Sequence, residues 1–301
     1  MGAGHSHDHG HGHAHGPARH GAAFAIGVTL NLAFVMVEAT YGFLSGSMAL
    51  VADAGHNLSD VLSLALAWGA SVLARRAPSG RFTYGYKSST ILAALANAGL
   101  LLVAIAGIAY ETVGRMAAPP AVEGRTMMVI AGIGILINGA TALLFARGRE
   151  HDINIRGAFL HMAADALVSL GVVIAGLAIL LTGERWIDPV TSLVIVLVIA
   201  WGTWGLLKDS VKLGLNAVPA HIDEAAVRAH LAALPGVTAV HDLHIWPMST
   251  TEAALTAHLV MPAGCPGDAF LHDLAHQLEH DFSIGHTTVQ VETGAPCEVD
   301  C

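Results

Sequence analysis

Six apolar runs dominate this 301-residue chain, at about residues 22–44, 48–73, 90–113, 126–146, 157–182 and 188–207. Each has about 20 residues or more, enough as a helix to cross the roughly 30 Å hydrocarbon core of a bilayer. Lipid offers no hydrogen bonds to a backbone, so such runs fold as helices, whose N–H and C=O groups are satisfied within the segment. Only 12% of the residues are charged, about half the share of a soluble domain. The expected fold is a polytopic α-helical membrane protein with six transmembrane helices.

Lys and Arg set the orientation. With the N-terminus in the cytosol, the cytosolic side holds Arg19, Arg75, Arg76, Arg81, Lys87, Arg147, Arg149, Arg156, Lys208 and Lys212, while the other face holds Arg115, Arg125 and Arg185. Ten against three places both termini in the cytosol. The net charge of −9 argues against nucleic acid as a partner. Cys265, Cys297 and Cys301 all lie late in the chain and form no disulfide framework. The polar start and the long first apolar run do not fit a cleavable signal peptide.

Polar residues inside the spans carry the functional signal. His56 and Asp60 stand four apart in the second run, and His161 and Asp165 repeat the spacing in the fifth. On a helix this puts both side chains on one face, a turn apart. An Asp at mid-membrane costs roughly 2.5–3.5 kcal/mol on insertion scales, so something must offset two of them. A divalent metal does so: two His nitrogens and two Asp oxygens form a four-coordinate set suited to zinc, and the carboxylates balance its charge. Asp53 shares the stripe of His56 and Asp60, either as part of an access path or as a cap near the helix start. Asn31 and Glu38 share a face of the first span and are expected to pack into the bundle. Asn97 and Asn138 read as interhelical hydrogen-bonders.

Residues 1–20 form a His-rich tail, with His5, His7, His9, His11, His13, His15 and His20, too polar to bury a core and expected to be disordered. It is either a cytosolic zinc buffer or a chelating segment of little consequence for transport. After Leu207 a soluble domain begins. Ile222–Leu234 reads as a helix, Val240–Pro247 and Glu252–Met261 as strands, Asp268–Phe282 as a helix and His286–Glu292 as a strand. In the last strand Val289 and Val291 face one way, and His286, Thr288, Gln290 and Glu292 the other. Domain bounds are expected at 1–20 for the tail, 21–208 for the helices, 209–293 for the αββαβ domain and 294–301 for a Cys-containing C-terminal tail.

Ala-Leu-Val-Ala-Asp53-Ala-Gly-His56-Asn-Leu-Ser-Asp60, Asn154-Ile-Arg-Gly-Ala-Phe-Leu-His161-Met-Ala-Ala-Asp165 and Asp188-Pro-Val-Thr-Ser-Leu resemble the cation diffusion facilitator family. The resemblance runs from about residue 22 to about 293 and implies a proton-coupled exporter of zinc or a related metal. It also implies that the C-terminal domain is metallochaperone-like and mediates a homodimer. His241 and His258 then match positions where relatives bind regulatory zinc, and His272 matches a third. Gln290 and Glu292 fall where some relatives have His and Asp, which weakens a binuclear site that Cys297 and Cys301 are able to complete as soft ligands. Arg81–Lys87 resembles the family's Tyr-Gly-Tyr loop, but Ser88, Ser89 and Thr90 depart from the charged residues many members have next. With no His or Asp in that loop, the interfacial metal site of some relatives has no counterpart.

The resulting expectation is an integral protein of a bacterial inner membrane, working as a homodimer in the lipid bilayer with divalent metal ions and protons as partners. Zn²⁺ is substrate and regulatory ligand, with no catalytic cofactor, and Cd²⁺, Co²⁺ or Ni²⁺ are further substrates or one of them the main one. An intramembrane metalloenzyme is the rival class. It lacks a His-Glu-x-x-His motif here and a Glu near either pair to act as general base. A metal sensor or store would not need ligands inside two spans.

Overall fold

The computed structural model describes residues 21–146 and 153–294. Six long helices come first: α1 (Gly21–Ser45), α2 (Met48–Ala74), α3 (Ser89–Met116), α4 (Gly124–Ala146), α5 (Ile153–Thr182) and α6 (Ile187–Gly214). The small domain follows as α7 (Glu224–Ala232), β1 (Ala239–Pro247), β2 (Ala253–Val260), α8 (Asp268–Phe282) and β3 (His286–Glu292). The expected six-helix, αββαβ architecture is therefore present. α6 runs seven residues past the apolar stretch, because Lys208 and Lys212 are good helix formers once the chain leaves lipid. α5 starts four residues before its apolar run does.

The described chain divides into two compact units. One contains α1, α2 as far as Leu58, α4, α5 and the start of α6. Within it α4 and α5 cross where neither has a side chain: a Cβ on Gly124 would stand 2.6 Å from the Gly176 carbonyl, and one on Gly176 2.9 Å from the Gly124 carbonyl. Small residues are what allow membrane helices to pack this closely. Gly176→Val should therefore cost about 1–3 kcal/mol through overpacking. It should lower the melting temperature in detergent, whereas Gly171→Val, on the same helix with open space around its Cβ, should not.

The start of α2 is tied down from a distance. Ser47 Oγ accepts from the Leu50 N–H (3.2 Å), the usual N-cap arrangement. Asp188, at the start of α6, accepts from Ser47 Oγ (2.5 Å) and from the N–H groups of Met48 (2.8 Å) and Ala49 (3.2 Å). The Asp-Pro pair thus does two jobs. Pro189 fits the first turn of α6, and the carboxylate satisfies orphan N–H groups of α2, whose positive end it also favours.

The second unit holds the rest of α2, α3, most of α6 and the small domain. Ser63 of α2 donates to Asn97 of α3 at 2.8 Å, the interhelical bond expected of Asn97. The small domain is a three-stranded sheet in the order β1-β2-β3, with β1 antiparallel and β3 parallel to the central β2. A parallel neighbour requires a crossover, which α8 supplies. Leu231 of α7, Leu255 and Leu259 of β2, and Leu274 and Leu278 of α8 form its core. α7 is shorter than expected because Asp223 caps it, accepting from the N–H groups of Ala225 and Ala226. In β3, Val289 and Val291 are half-buried while His286, Thr288 and Gln290 are exposed, as alternation requires; Glu292 departs from it and is half-buried.

The connection from α2 to α3 belongs to this unit and rests on the small domain. Lys87 pairs with Glu252, Ser88 Oγ donates to the Met248 carbonyl (3.3 Å), and Thr90 Oγ1 accepts from the Thr250 N–H (3.0 Å). Hydroxyls at 88 and 90 hold the β1–β2 turn, at positions where this chain departs from the charged residues of many relatives. Gly85 is required in the loop, with φ of 70° and a Cβ position only 2.9 Å from the Arg76 carbonyl.

Candidate metal sites

In the first unit, α2 and α5 bring their motif residues together. His56 Nε2 lies 3.2 Å from Asp165 Oδ1, and His161 Nε2 lies 3.6 Å from Asp165 Oδ2. The two imidazole rings stand 6.2 Å apart, edge to face. Asp165 is 1% exposed and His161 42%, so the carboxylate forms the floor of the group and one imidazole reaches its mouth. Donor atoms bonded at about 2.0–2.1 Å to one tetrahedral zinc stand about 3.3–3.4 Å from each other. The His–Asp spacings are of that size. Asp60 follows His56 by one turn of the unbroken α2 helix.

Of the two readings of Asp53, capping fails. Ser47 and Asp188 fill that role, and Asp53 lies six residues inside the helix start. It is fully buried and accepts from Ser169 Oγ of α5 at 2.9 Å. Glu38 packs inward as expected, accepting from Asn57 Nδ2 at 3.2 Å. Asn31 is buried too, its Oδ1 unpartnered among the described residues. Asn138 corrects the expectation for it: it is fully buried, yet neither amide atom has a hydrogen-bond partner among the described residues.

The small domain gathers a second donor set. His241, His258 and Glu292 each offer a ligand atom, all within 4.8 Å of one another. His241 Nε2 lies 2.9 Å from Glu292 Oε2, and His258 Nδ1 lies 3.1 Å from Glu292 Oε1. The strands explain the grouping: His241 pairs with His258 across β1 and β2, and Glu292 sits two positions along β3 from the residue opposite His258. A bulge between His241 and His244 then turns Asp242 to φ of 50°. Its carboxylate meets His244 Nε2 (2.9 Å) and His258 Nε2 (3.3 Å). Bulges are common where a strand must re-aim a side chain.

Residues 24–213 match the cation efflux transmembrane domain, and residues 219–294 match the cation efflux protein cytoplasmic domain. The chain belongs to the cation efflux family. It is 37% identical over 299 residues to the cation efflux system protein CzcD of Alcaligenes sp. (strain CT14), covering 99% of this chain and 92% of that one. Zinc transporter ZitB of Escherichia coli (strain K12) is 39% identical over 281 residues, covering 92% and 88%. The cadmium, cobalt and zinc/H(+)-K(+) antiporter of Bacillus subtilis (strain 168) is 34% identical over 267 residues, covering 87% and 86%. Membership makes the chain an integral membrane transporter of metal cations, not an enzyme.

Not every ligand expected of this cation efflux protein joins a group. His272 stands apart from His241, His258 and Glu292, on the exposed face of α8 against His276, ring centroids 5.2 Å apart. Its i,i+4 spacing from His276 decides that neighbour. Gln290 donates to Glu292 Oε1 at 3.0 Å, orienting the carboxylate. Cys297, Cys301 and the His-rich tail lie outside the described residues. Asp242 and His244 also enter the network, through a bulge that no sequence pattern marks.

Proposed function

We propose that this cation efflux protein exports Zn²⁺ from the cytosol in exchange for protons, with His56, Asp60, His161 and Asp165 as the transport ligands. The observation that carries this reading is the Asp165 carboxylate held between His56 and His161 at spacings suited to one small divalent ion. Metal and proton compete for the same lone pairs, so cytosolic zinc displaces protons and protons from the other side displace zinc. A site that opens to one side at a time turns that competition into antiport. The protein works as a homodimer through its small domain, in a bacterial inner membrane with both termini cytosolic. The relatives named as a zinc transporter and as a cadmium, cobalt and zinc antiporter favour this class of ions.

Zinc at His241, His258 and Glu292 acts as a regulatory ligand. Two imidazoles and one carboxylate fit zinc and leave a fourth position open. Full-length protein should lose one class of zinc heat in calorimetry when His241 and His258 are both changed to Ala. Identical titrations of parent and double variant would remove the regulatory role. The transport reading is tested by uptake into proteoliposomes of Zn²⁺, Cd²⁺, Co²⁺, Mn²⁺ and Fe²⁺ side by side. Zinc should lead, cadmium or cobalt follow, and Mn²⁺ or Fe²⁺ faster than zinc would contradict it.

A further inference from the structure

One helical turn from the His56–Asp165 contact lies a second polar layer. Asp53 precedes His56 by three residues on α2, and Ser169 follows Asp165 by four on α5. The Ser169–Asp53 hydrogen bond (2.9 Å) thus repeats the His56–Asp165 contact along the same two helices. Glu38 of α1 completes the layer: it accepts from Asn57 Nδ2 (3.2 Å), one turn from Asp53 on α2, and its carboxyl group interacts with that of Asp53. Glu38, Asp53, Asn57 and Ser169 are all 0% exposed. Glu38 Oε1 and Asp53 Oδ1 have no hydrogen-bond donor from any other described residue. The other titratable groups facing the pair are His56 from α2 and Asp165 from α5. The sequence of α4, which packs on α1 and α5, contains Arg125 in its first turn and no other titratable residue.

Two carboxylates in contact at this depth repel each other by about 4 kcal/mol even at an effective dielectric constant of 20. No described Lys or Arg acts on the pair and no described residue donates to the facing oxygens, so a shared proton is what relieves the repulsion. We propose that Glu38 and Asp53 share one proton and release it when zinc occupies the transport ligands, so that the pair is a proton-carrying site that never touches the metal. The proposal rests on the transport site named above. Zn²⁺ brings two positive charges to within about one helical turn, roughly 5.4 Å, of the pair. Their field favours the ionised pair, and the proton leaves as the bond between it and the carboxyl oxygen breaks. When protons replace zinc, one returns to the pair.

The test counts protons released per zinc bound, using full-length protein in detergent and calorimetry in buffers of different ionisation enthalpy. An Asp165→Ala version of each protein subtracts zinc held by other His-rich segments. The parent should release about one proton more per transport-site zinc than Glu38→Gln, whose amide keeps the shape of the protonated acid. Because proton release and affinity are linked, the parent's zinc affinity should rise relative to that of Glu38→Gln by about ten-fold per pH unit, although Glu38 is no ligand. Equal proton counts overturn the proposal. Asp53→Asn makes the same comparison from the other carboxyl group should Glu38→Gln fail to fold. If parent and Asp165→Ala bind zinc identically, the transport-site assignment itself falls, and this inference with it.

Discussion

Asp165→Ala should reduce zinc flux in proteoliposomes by at least about a hundred-fold, and Asp60→Ala should do the same. The two carboxylates balance the charge of the ion, and in a low-dielectric site an uncompensated charge costs several kcal/mol, where about 1.4 kcal/mol is already ten-fold. Asp165 has a further role that the geometry makes plain: its two oxygens face two different imidazoles. Losing it removes that partner from both rings. His56→Asp should behave differently, because it keeps four ligands and adds an oxygen donor. Zinc flux should survive in part, with selectivity broadening toward cadmium or other larger ions. Flux in Asp60→Ala or Asp165→Ala near that of the parent, at equal protein per vesicle, would take these residues out of the site.

A second large effect is expected far from any metal. Asp188→Ala removes the acceptor for Ser47 Oγ and for two N–H groups at the start of α2. These groups are buried, so the loss should cost roughly 1.5–3 kcal/mol, the scale for hydrogen bonds to a charged partner. In detergent, metal-free Asp188→Ala should melt well below the parent, and Asp188→Asn, which keeps one acceptor oxygen, should fall between them. A melting temperature for Asp188→Ala equal to the parent's would show that α2 is held by other contacts. Zinc affinity at the transport ligands is expected to change little in variants that stay folded, since His56 lies more than two turns from the cap.

The helices were legible because membrane insertion is a matter of composition along a continuous stretch. The end of α6 was not, since beyond the lipid its boundary depends on helix propensity and on the turn at Asn216, which takes a left-handed φ of 60°. The His56/Asp60 and His161/Asp165 spacings were readable for the same reason: one helical period fixes which side chains share a face. Which face meets which neighbour is a tertiary fact. Glu38 and Asp53 are fifteen residues apart on separate helices, and nothing in either run says that their carboxyl groups meet. In the small domain alternation placed Val289 and Val291 correctly, but the bulge that turns Asp242 toward His244 and His258 breaks alternation, so the pattern could not show it. A family position alone does not bring His272 to His241 and His258, because the helix it sits on carries it to His276.

Zinc/proton exchange can be measured directly. Proteoliposomes containing a zinc indicator and a pH indicator would be given external Zn²⁺ with the pH gradient imposed inward, outward or abolished. Exchange at shared ligands predicts that zinc enters as protons leave in a constant ratio, fastest with an acidic interior and slowed when the gradient is reversed. Both signals should vanish in Asp165→Ala. Zinc entry at one rate under all three gradients, with no accompanying pH change, would contradict the account.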